Sequence, residues 1–360
     1  MPKLAVTLVE TKAATQCDDV GDVSPSAQRE RTAWWESFLE SGPVDVSVCI
    51  VNWNCRDLLR GCLESVHDQP QGVRVETIVV DNASSDGSAE MVASHFPEVT
   101  LIRNTENVGY ARGNNQAARV ARGKYLFFLN NDTRLPAFTL RRLLDYADAH
   151  TDVAILAPRL RDGAGKTQAS WRRRPTLATF LHQTCLLRWT NLFRSAYRRY
   201  RRQAVVPTAP QSVDVLMGAA MMIPRKLFFE NGQWNESFRF GGEDLELCHR
   251  FGKRFRLVYH PQIEIVHYGR ASTRQNISFT SVQIPVGFVR YLRISGCHEA
   301  GIFLYKLVLT LDAPLHAAVK ALQYVCRRLR GRRNHAEKSL LVARGLIQFL
   351  CKGLVPFWKA

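Results

Sequence analysis

From Val44 onward the hydrophobic positions alternate between two patterns. Short runs at Val46–Val51, Val75–Val80, Thr100–Arg103, Tyr125–Leu129 and Ala154–Ala157 have the length and residue types of buried strands. Between them the apolar positions follow helical spacing. Leu58, Leu59, Cys62, Leu63 and Val66 mark one helix face, and a second helix runs from the Asn82–Ser88 turn through Phe96. Tyr110–Arg122 and Leu140–His150 read as two more. This alternation predicts an α/β fold, a mostly parallel, Rossmann-like sheet flanked by helices on both faces. Such sheets bind ligands beyond the carboxyl ends of their strands. The polar clusters Val51–Asn54, Asp81–Asp86 and Asn130–Asp132 stand at those ends, so a site is expected along that edge.

The rhythm changes after Gly163. A basic, aromatic insertion occupies 171–202, and the apolar run Val213–Ile223 has small residues that let another chain or a ligand approach closely. The stretch Gly241–Ser272 follows, opening with two glycines and the adjacent carboxylates Glu243 and Asp244. Leu245, Leu247, Cys248 and Phe251 continue at helical spacing, which puts the acid pair at a helix start. There the helix dipole favours the ionised form, so both acids are expected to stay charged. Two strand-like runs, Arg256–Tyr259 and Glu264–His267, then carry His267 into a glycine-containing turn. An acid and a histidine so delivered can serve as base and metal ligand, or simply as a helix N-terminus and an ordinary histidine. Residues 1–43 read as a polar, weakly structured leader with at most a short helix at Trp34–Leu39. Residues 274–360 read as a basic helical C-terminal extension.

Composition changes this picture in one respect. At 46% apolar and 22% charged the chain is ordinary for a globular protein, but its formal charge is +17. Trp171–Arg202 holds nine arginines and no acid, and Arg290–Ala360 holds 13 Lys or Arg against three acids, leaving −2 for the rest. The basicity therefore belongs to two segments. Their Leu, Phe, Trp and Tyr content favours contact with an anionic membrane surface over nucleic acid. Nine cysteines without a CxxC pair point to reduced thiols and a cytoplasmic setting, and the basic segments to the inner face of the cytoplasmic membrane. Ile302–Leu311 is interrupted by Lys306, and Leu340–Trp358 by Arg344 and Lys352. These segments are expected to lie on a membrane or pack on the body rather than span a bilayer.

Individual motifs suggest chemistry. Asp81 ends an apolar strand and can accept hydrogen bonds from a base or ribose edge, while Asp86 fits a helix-capping turn. In NVGYARGNN, Asn107, Gly109, Arg112 and Asn114 surround a helix start able to approach phosphate. There is no GxGxxG and no P-loop. Asn130 and Asn131 precede Asp132, which with His267 can give a divalent cation two ligands, an O and N pair suited to Mn²⁺ as well as Mg²⁺.

The ordered series VSVCIVNWN, IVVDNASSDGS, NVGYARGNN, YLFFLNNDT, GAAMMIPR, GGEDLELCHR and VHYGRAS resembles the inverting family-2 glycosyltransferases of GT-A fold. Within them it is most similar to the bacterial rhamnosyltransferase-type enzymes of cell-surface polysaccharide assembly. The resemblance covers about Val44–Thr273. It implies a nucleotide-sugar donor, with Asn52 and Trp53 against the base and Asp81 hydrogen-bonded to it. It further implies Asp132 and His267 as ligands of Mn²⁺ or Mg²⁺, Asp244 as catalytic base and Glu243 as acceptor-positioning neighbour. Asn130 departs from the family's DXD-like pattern, where a carboxylate stands. The implied acceptor is a saccharide, lipid-linked in view of the basic segments, and thymidine diphosphate rhamnose is the first candidate donor.

Three other readings compete. A sugar-nucleotide nucleotidyltransferase needs a Gly-rich basic loop where Asn52-Trp53-Asn54 stands. A nucleic-acid-binding protein needs basic residues across the folded body. An inactive scaffold would not need Asp132, Asp244 and His267 together.

Overall fold

The computed structural model describes residues 43–70, 72–201, 207–269 and 277–360. The leader, the Trp34–Leu39 segment, Arg202 and the end of VHYGRAS up to Thr273 lie outside the described residues.

Four of the strands expected from the sequence form one half of a nine-stranded sheet. They are β1 (Val46–Asn52), β2 (Val75–Asn82), β3 (Thr100–Asn104) and β4 (Tyr125–Asn130), all parallel in the order β3-β2-β1-β4. Alternate residues of each strand enter opposite faces. Val46, Val48 and Ile50 join Phe127 and Leu129 on one side, while Cys49 joins Leu126 and Phe128 on the other. Helices α1 (Arg56–His67), α2 (Ser88–His95), α3 (Tyr110–Val120) and α4 (Thr139–Ala149) supply the cover. The register fixes the site edge: Asn52 stands level with Asp81, and Val51 with Asn130.

Beyond β4 the sheet continues through β5 (Thr133–Arg134), β6 (Val153–Arg161), β10 (Ala220–Pro224) and β11 (Arg256–His267). The short strands β7 (Trp171–Arg172) and β9 (Val215–Leu216) pair with each other, and β8 (Gln211–Ser212) pairs with β11. Two sequence expectations change here. The run Val213–Ile223 is mostly sheet core, because β10 inserts antiparallel between β4 and β6, with Met222 level with Phe127 and Leu156. The runs Arg256–Tyr259 and Glu264–His267 are one strand, bulged between His260 and Glu264. That strand ends with His267 level with Thr133, next to Asp132.

The insertion folds as α5 (Leu177–Gln183), α6 (Cys185–Trp189) and α7 (Arg194–Arg201). Further on come α8 (Arg225–Glu230), α9 (Glu243–Phe251), α10 (Ile277–Ile294), α11 (Glu299–Leu329) and α12 (Arg333–Gln348). A π-helical turn, Phe349–Gly353, leads into α13 (Leu354–Lys359). The two basic segments meet. Buried Asp312 of α11 accepts the backbone N–H groups of Cys185 and Leu186 at 2.9 and 2.7 Å, satisfying otherwise orphaned donors at the start of α6. Phe180 packs on Phe288 at 4.7 Å between ring centres. Pro43–Ala360 is accordingly one compact unit.

Helix α10 also grips the acid-pair loop. Gly241 has φ +84°, and a Cβ there would come within 2.8 Å of Ile284 Cγ1. A Cβ on Gly287 would overlap the Gly241 carbonyl oxygen. In an unconstrained helix Gly→Ala gains about 1 kcal/mol, whereas overpacking costs about 1–3 kcal/mol. Gly287→Ala is therefore expected to lower the melting temperature and the activity together. A stabilised variant in thermal unfolding would mean that the glycine contact does not hold the loop.

Candidate active site

The carboxyl ends of β1, β2 and β4 open into a cavity of about 610 Å³. Asn52, Trp53, Asn107, Gly109, Asn130, Asn131, Asp132, Glu243, Asp244 and His267 all line it. Three residues singled out in the sequence do not. Asp81 is 3% exposed and its oxygens are taken up by the protein. Oδ1 accepts from Asn52 Nδ2 at 3.0 Å and Oδ2 from the Ser84 N–H at 2.9 Å. It braces Asn52, whose Oδ1 accepts from Asn131 Nδ2 at 2.7 Å. Arg112 is half exposed and faces Glu236 at 3.9 Å. Asn114 is buried and donates to the Tyr110 carbonyl one helical turn back at 3.0 Å.

The rest of the NVGYARGNN turn does reach the cavity. Asn107 Oδ1 accepts the Gly109 N–H at 2.9 Å and Asn82 Nδ2 at 3.3 Å. Gly109 has φ +89°, and a Cβ would stand 2.5 Å from the Arg239 carbonyl oxygen, so only glycine fits. The ring of Trp53 meets Phe279 of α10 edge-on at 5.7 Å. The C-terminal extension thus supplies part of the cavity wall.

At another part of the wall, Asp132 Oδ1 and His267 Nε2 are 3.3 Å apart. Gln168 clamps the histidine at two points. Its Oε1 lies 2.8 Å from His267 Nδ1, and its Nε2 donates to the His267 carbonyl at 2.6 Å. An amide oxygen accepts only, so Nδ1 donates to it and Nε2 is the ring nitrogen turned toward Asp132. Two metal-bound donors in adjacent positions lie about 3 Å apart, so the pair fits a divalent cation. Among the described residues no group of three or more His, Cys, Asp or Glu forms a metal cluster. Diphosphate and water oxygens would have to complete the shell. Asn130 brings an amide to 3.5 Å from His267 Nε2.

Glu243 and Asp244 begin α9 directly after Gly241 and Gly242. The expectation that the helix start keeps both ionised is not met, because desolvation opposes the dipole. Burial, then the charge of Asp244, pushes Glu243 up to about 8. Burial also raises Asp244, against the opposing effects of Arg172 and the Leu245 and Gly218 N–H groups. Glu243 Oε2 is buried with no partner among the described residues. Burial and the acid pair hold the Tyr110 hydroxyl protonated, and it donates to the Gly218 carbonyl at 2.5 Å. A second cavity of about 240 Å³ shares Arg172, Glu243 and Asp244 with the first and extends to Tyr200, Ile284 and Phe288.

Sequence reasoning missed Gln168, Arg172, Tyr110 and Phe279 as cavity residues. Arg172 was visible only as part of a charge run, and Gln168 sits in a loop with no pattern around it.

The sequence profile of Glycosyl transferase family 2 matches residues 47–226. N-acetylglucosaminyl-diphospho-decaprenol L-rhamnosyltransferase of Mycobacterium tuberculosis is 27% identical over 213 residues, 55% of this chain and 68% of that protein. Abequosyltransferase RfbV of Salmonella typhimurium is 30% identical over 114 residues, 30% of this chain and 34% of that protein. Among solved structures, GalNAc-T7 with UDP, GalNAc and Mn²⁺ superposes with a TM-score of 0.50 at 16% identity. That match spans 72% of this chain and 56% of the other, and is a likeness of fold. The sheet is accordingly of GT-A type, and with the profile covering half its length the chain belongs to glycosyl transferase family 2.

Proposed function

We propose that the protein is an inverting glycosyltransferase moving a sugar, rhamnose in the first instance, from a nucleoside diphosphate to a hydroxyl of a lipid-linked saccharide. The observation that carries this reading is the presence of the acid pair and the Asp132–His267 pair in one cavity. The Mycobacterium tuberculosis relative, whose name specifies a diphospho-decaprenol acceptor and an L-rhamnosyl group, supports the choice of substrates. Asn52 and Trp53 would hold the nucleotide base, with Asp81 bracing Asn52 from behind. Asn107, Gly109, Asn130 and Asn131 would line the path of the phosphates and sugar. Asp132 and His267 would hold Mn²⁺ or Mg²⁺, which when bound supplies positive charge to the leaving diphosphate.

Asp244 takes the proton of the acceptor hydroxyl as its oxygen bonds to the anomeric carbon. The bond from that carbon to the diphosphate oxygen breaks on the opposite face, so one displacement inverts the centre. Glu243, protonated beside it, can donate a hydrogen bond to the acceptor while leaving Asp244 as the charged partner. The two basic segments suit work at the anionic cytoplasmic face of a membrane. A screen of nucleotide sugars for binding and hydrolysis, with and without Mn²⁺, tests the reading. Indifference to every nucleotide sugar would end it.

Gln168 gives a sharper check on the cation site. Gln168→Ala is expected to weaken Mn²⁺ binding about 10–100-fold by freeing the His267 ring. Gln168→Glu keeps the acceptor at Nδ1 but sets a carboxylate oxygen against the His267 carbonyl, so it should retain only part of the affinity. Titration of Mn²⁺ by electron paramagnetic resonance reads both. Equal affinity in the alanine variant would remove His267 from the ligand set.

A further inference from the structure

Helix α11 leaves large apolar side chains in the open along its whole length. Leu304, Leu311, Leu315, Leu322, Val325 and Leu329 are all exposed, the last by 83% and Leu311 and Leu322 by 64% and 65%. At 100° per residue these six fall within an arc of about 80°. The charged residues of α11, among them Lys306, Asp312, Lys320 and Arg327, fall outside that arc. The opposite side is occupied, because Ile302, Tyr305, Asp312 and Ala313 are buried against the protein. One continuous, charge-free apolar stripe is therefore left without a partner among the described residues.

We infer that this stripe lies lengthwise in the surface of an anionic lipid bilayer, its leucines among the acyl chains and its axis in the membrane plane. The inference rests on the lipid-linked acceptor proposed above and specifies the surface that brings the enzyme to it. By length and composition alone α11 and the segment Arg333–Lys359 could each cross a membrane. Packing argues for the lengthwise arrangement. Lys306 donates to the Trp358 carbonyl at 3.0 Å, and Asp312 caps α6, so the polar face of α11 is committed to protein on one long side. A helix held in this way presents one face to lipid, as interfacial helices do.

Charge selects the occupant. The helical layer built from the insertion and the C-terminal helices exposes Arg188, Arg198, Arg199, Arg328 and Arg330, and anionic headgroups attract such residues. A second copy of the chain would instead bring two +17 molecules together through the same layer. Trp189, 66% exposed at the end of α6, adds an aromatic side chain of the type enriched at membrane–water boundaries. Helix α10 opens the same layer and carries Phe279 and Thr280 of the cavity, so membrane face and active site belong to contiguous chain.

The test is sedimentation of the purified full chain with vesicles of phosphatidylglycerol and phosphatidylcholine, or of phosphatidylcholine alone. The wild type should bind the anionic vesicles and be released partly by salt. Leu311→Glu/Leu322→Glu should bind them at least tenfold more weakly, with its circular dichroism and nucleotide-sugar binding unchanged. If the double variant does not fold, Leu329→Glu, at the most exposed position, should still lower binding several-fold. Wild-type indifference to anionic vesicles at low salt, or variants that bind as well as wild type, would overturn the inference. So would a wild-type dimer, by light scattering, that the double variant splits and vesicles leave intact. Failure to bind any nucleotide sugar would instead sink the transferase reading, which vesicle binding does not touch.

Discussion

Asp244→Asn is expected to lower kcat about 10²–10⁴-fold while leaving donor binding close to wild type. Asparagine keeps the shape of the side chain and can still accept the Leu245 N–H, which bonds Asp244 Oδ1 at 2.8 Å, so the loop should not move. It cannot accept the acceptor's proton. Asp244 lines the same cavity as the Asp132–His267 pair but is hydrogen-bonded to neither residue, so donor and cation should bind as before. Rates measured with saturating donor, alongside calorimetric donor affinity, separate the two effects. If donor affinity falls and kcat does not, Asp244 holds the donor and another group is the base.

The parts of this site that were legible in the sequence share one property: they follow from local pattern. Val46–Val51 and Tyr125–Leu129 read as buried strands because both of their faces are covered. Parallel pairing then sets Asn52, Asp81 and Asn130 side by side without further information. What local pattern does not carry is contact between distant segments. Asp312 caps a helix 127 residues earlier in the chain, which is why two basic stretches far apart in sequence are one layer. Gln168 reaches His267 from 99 residues away, out of a loop whose composition announces nothing. The run ending MGAAMMIPR has the same apolar residues whether it faces a ligand or becomes β10, and only the neighbours β4 and β6 decide. Asp81 occupies its expected strand end, yet Asn52 and Ser84 claim its oxygens. The ionisation of the acid pair escapes a sequence reading for a related reason. A helix start is visible in sequence, but the desolvation that outweighs it depends on how segments distant in the chain pack around the pair.

Glu243→Gln should stabilise the protein at pH 8 and cost activity there. The Glu243 carboxyl is raised from an ordinary 4.5 to about 8 by burial and by the charge of Asp244. The folded state therefore binds a proton that the unfolded chain releases, and stability must fall as pH rises between those values. Each pH unit crossed in that window costs at most about 1.4 kcal/mol. The loss accumulates through that window and is largest toward pH 8. Glutamine is neutral at every pH, so the variant escapes this loss. Its melting temperature should match wild type near pH 4.5 and exceed it increasingly toward pH 8. Among the described residues Arg172, Tyr110 and Cys248 interact with the pair, and burial keeps Tyr110 and Cys248 protonated over that range. Glu243 is uncharged below about pH 8, so the substitution should leave the rising limb of the pH–rate profile in place while the maximum rate drops. A melting-temperature difference that stays constant from pH 4.5 to 8 would show that Glu243 is already ionised in the folded protein, and the division of labour within the acid pair would have to be reversed.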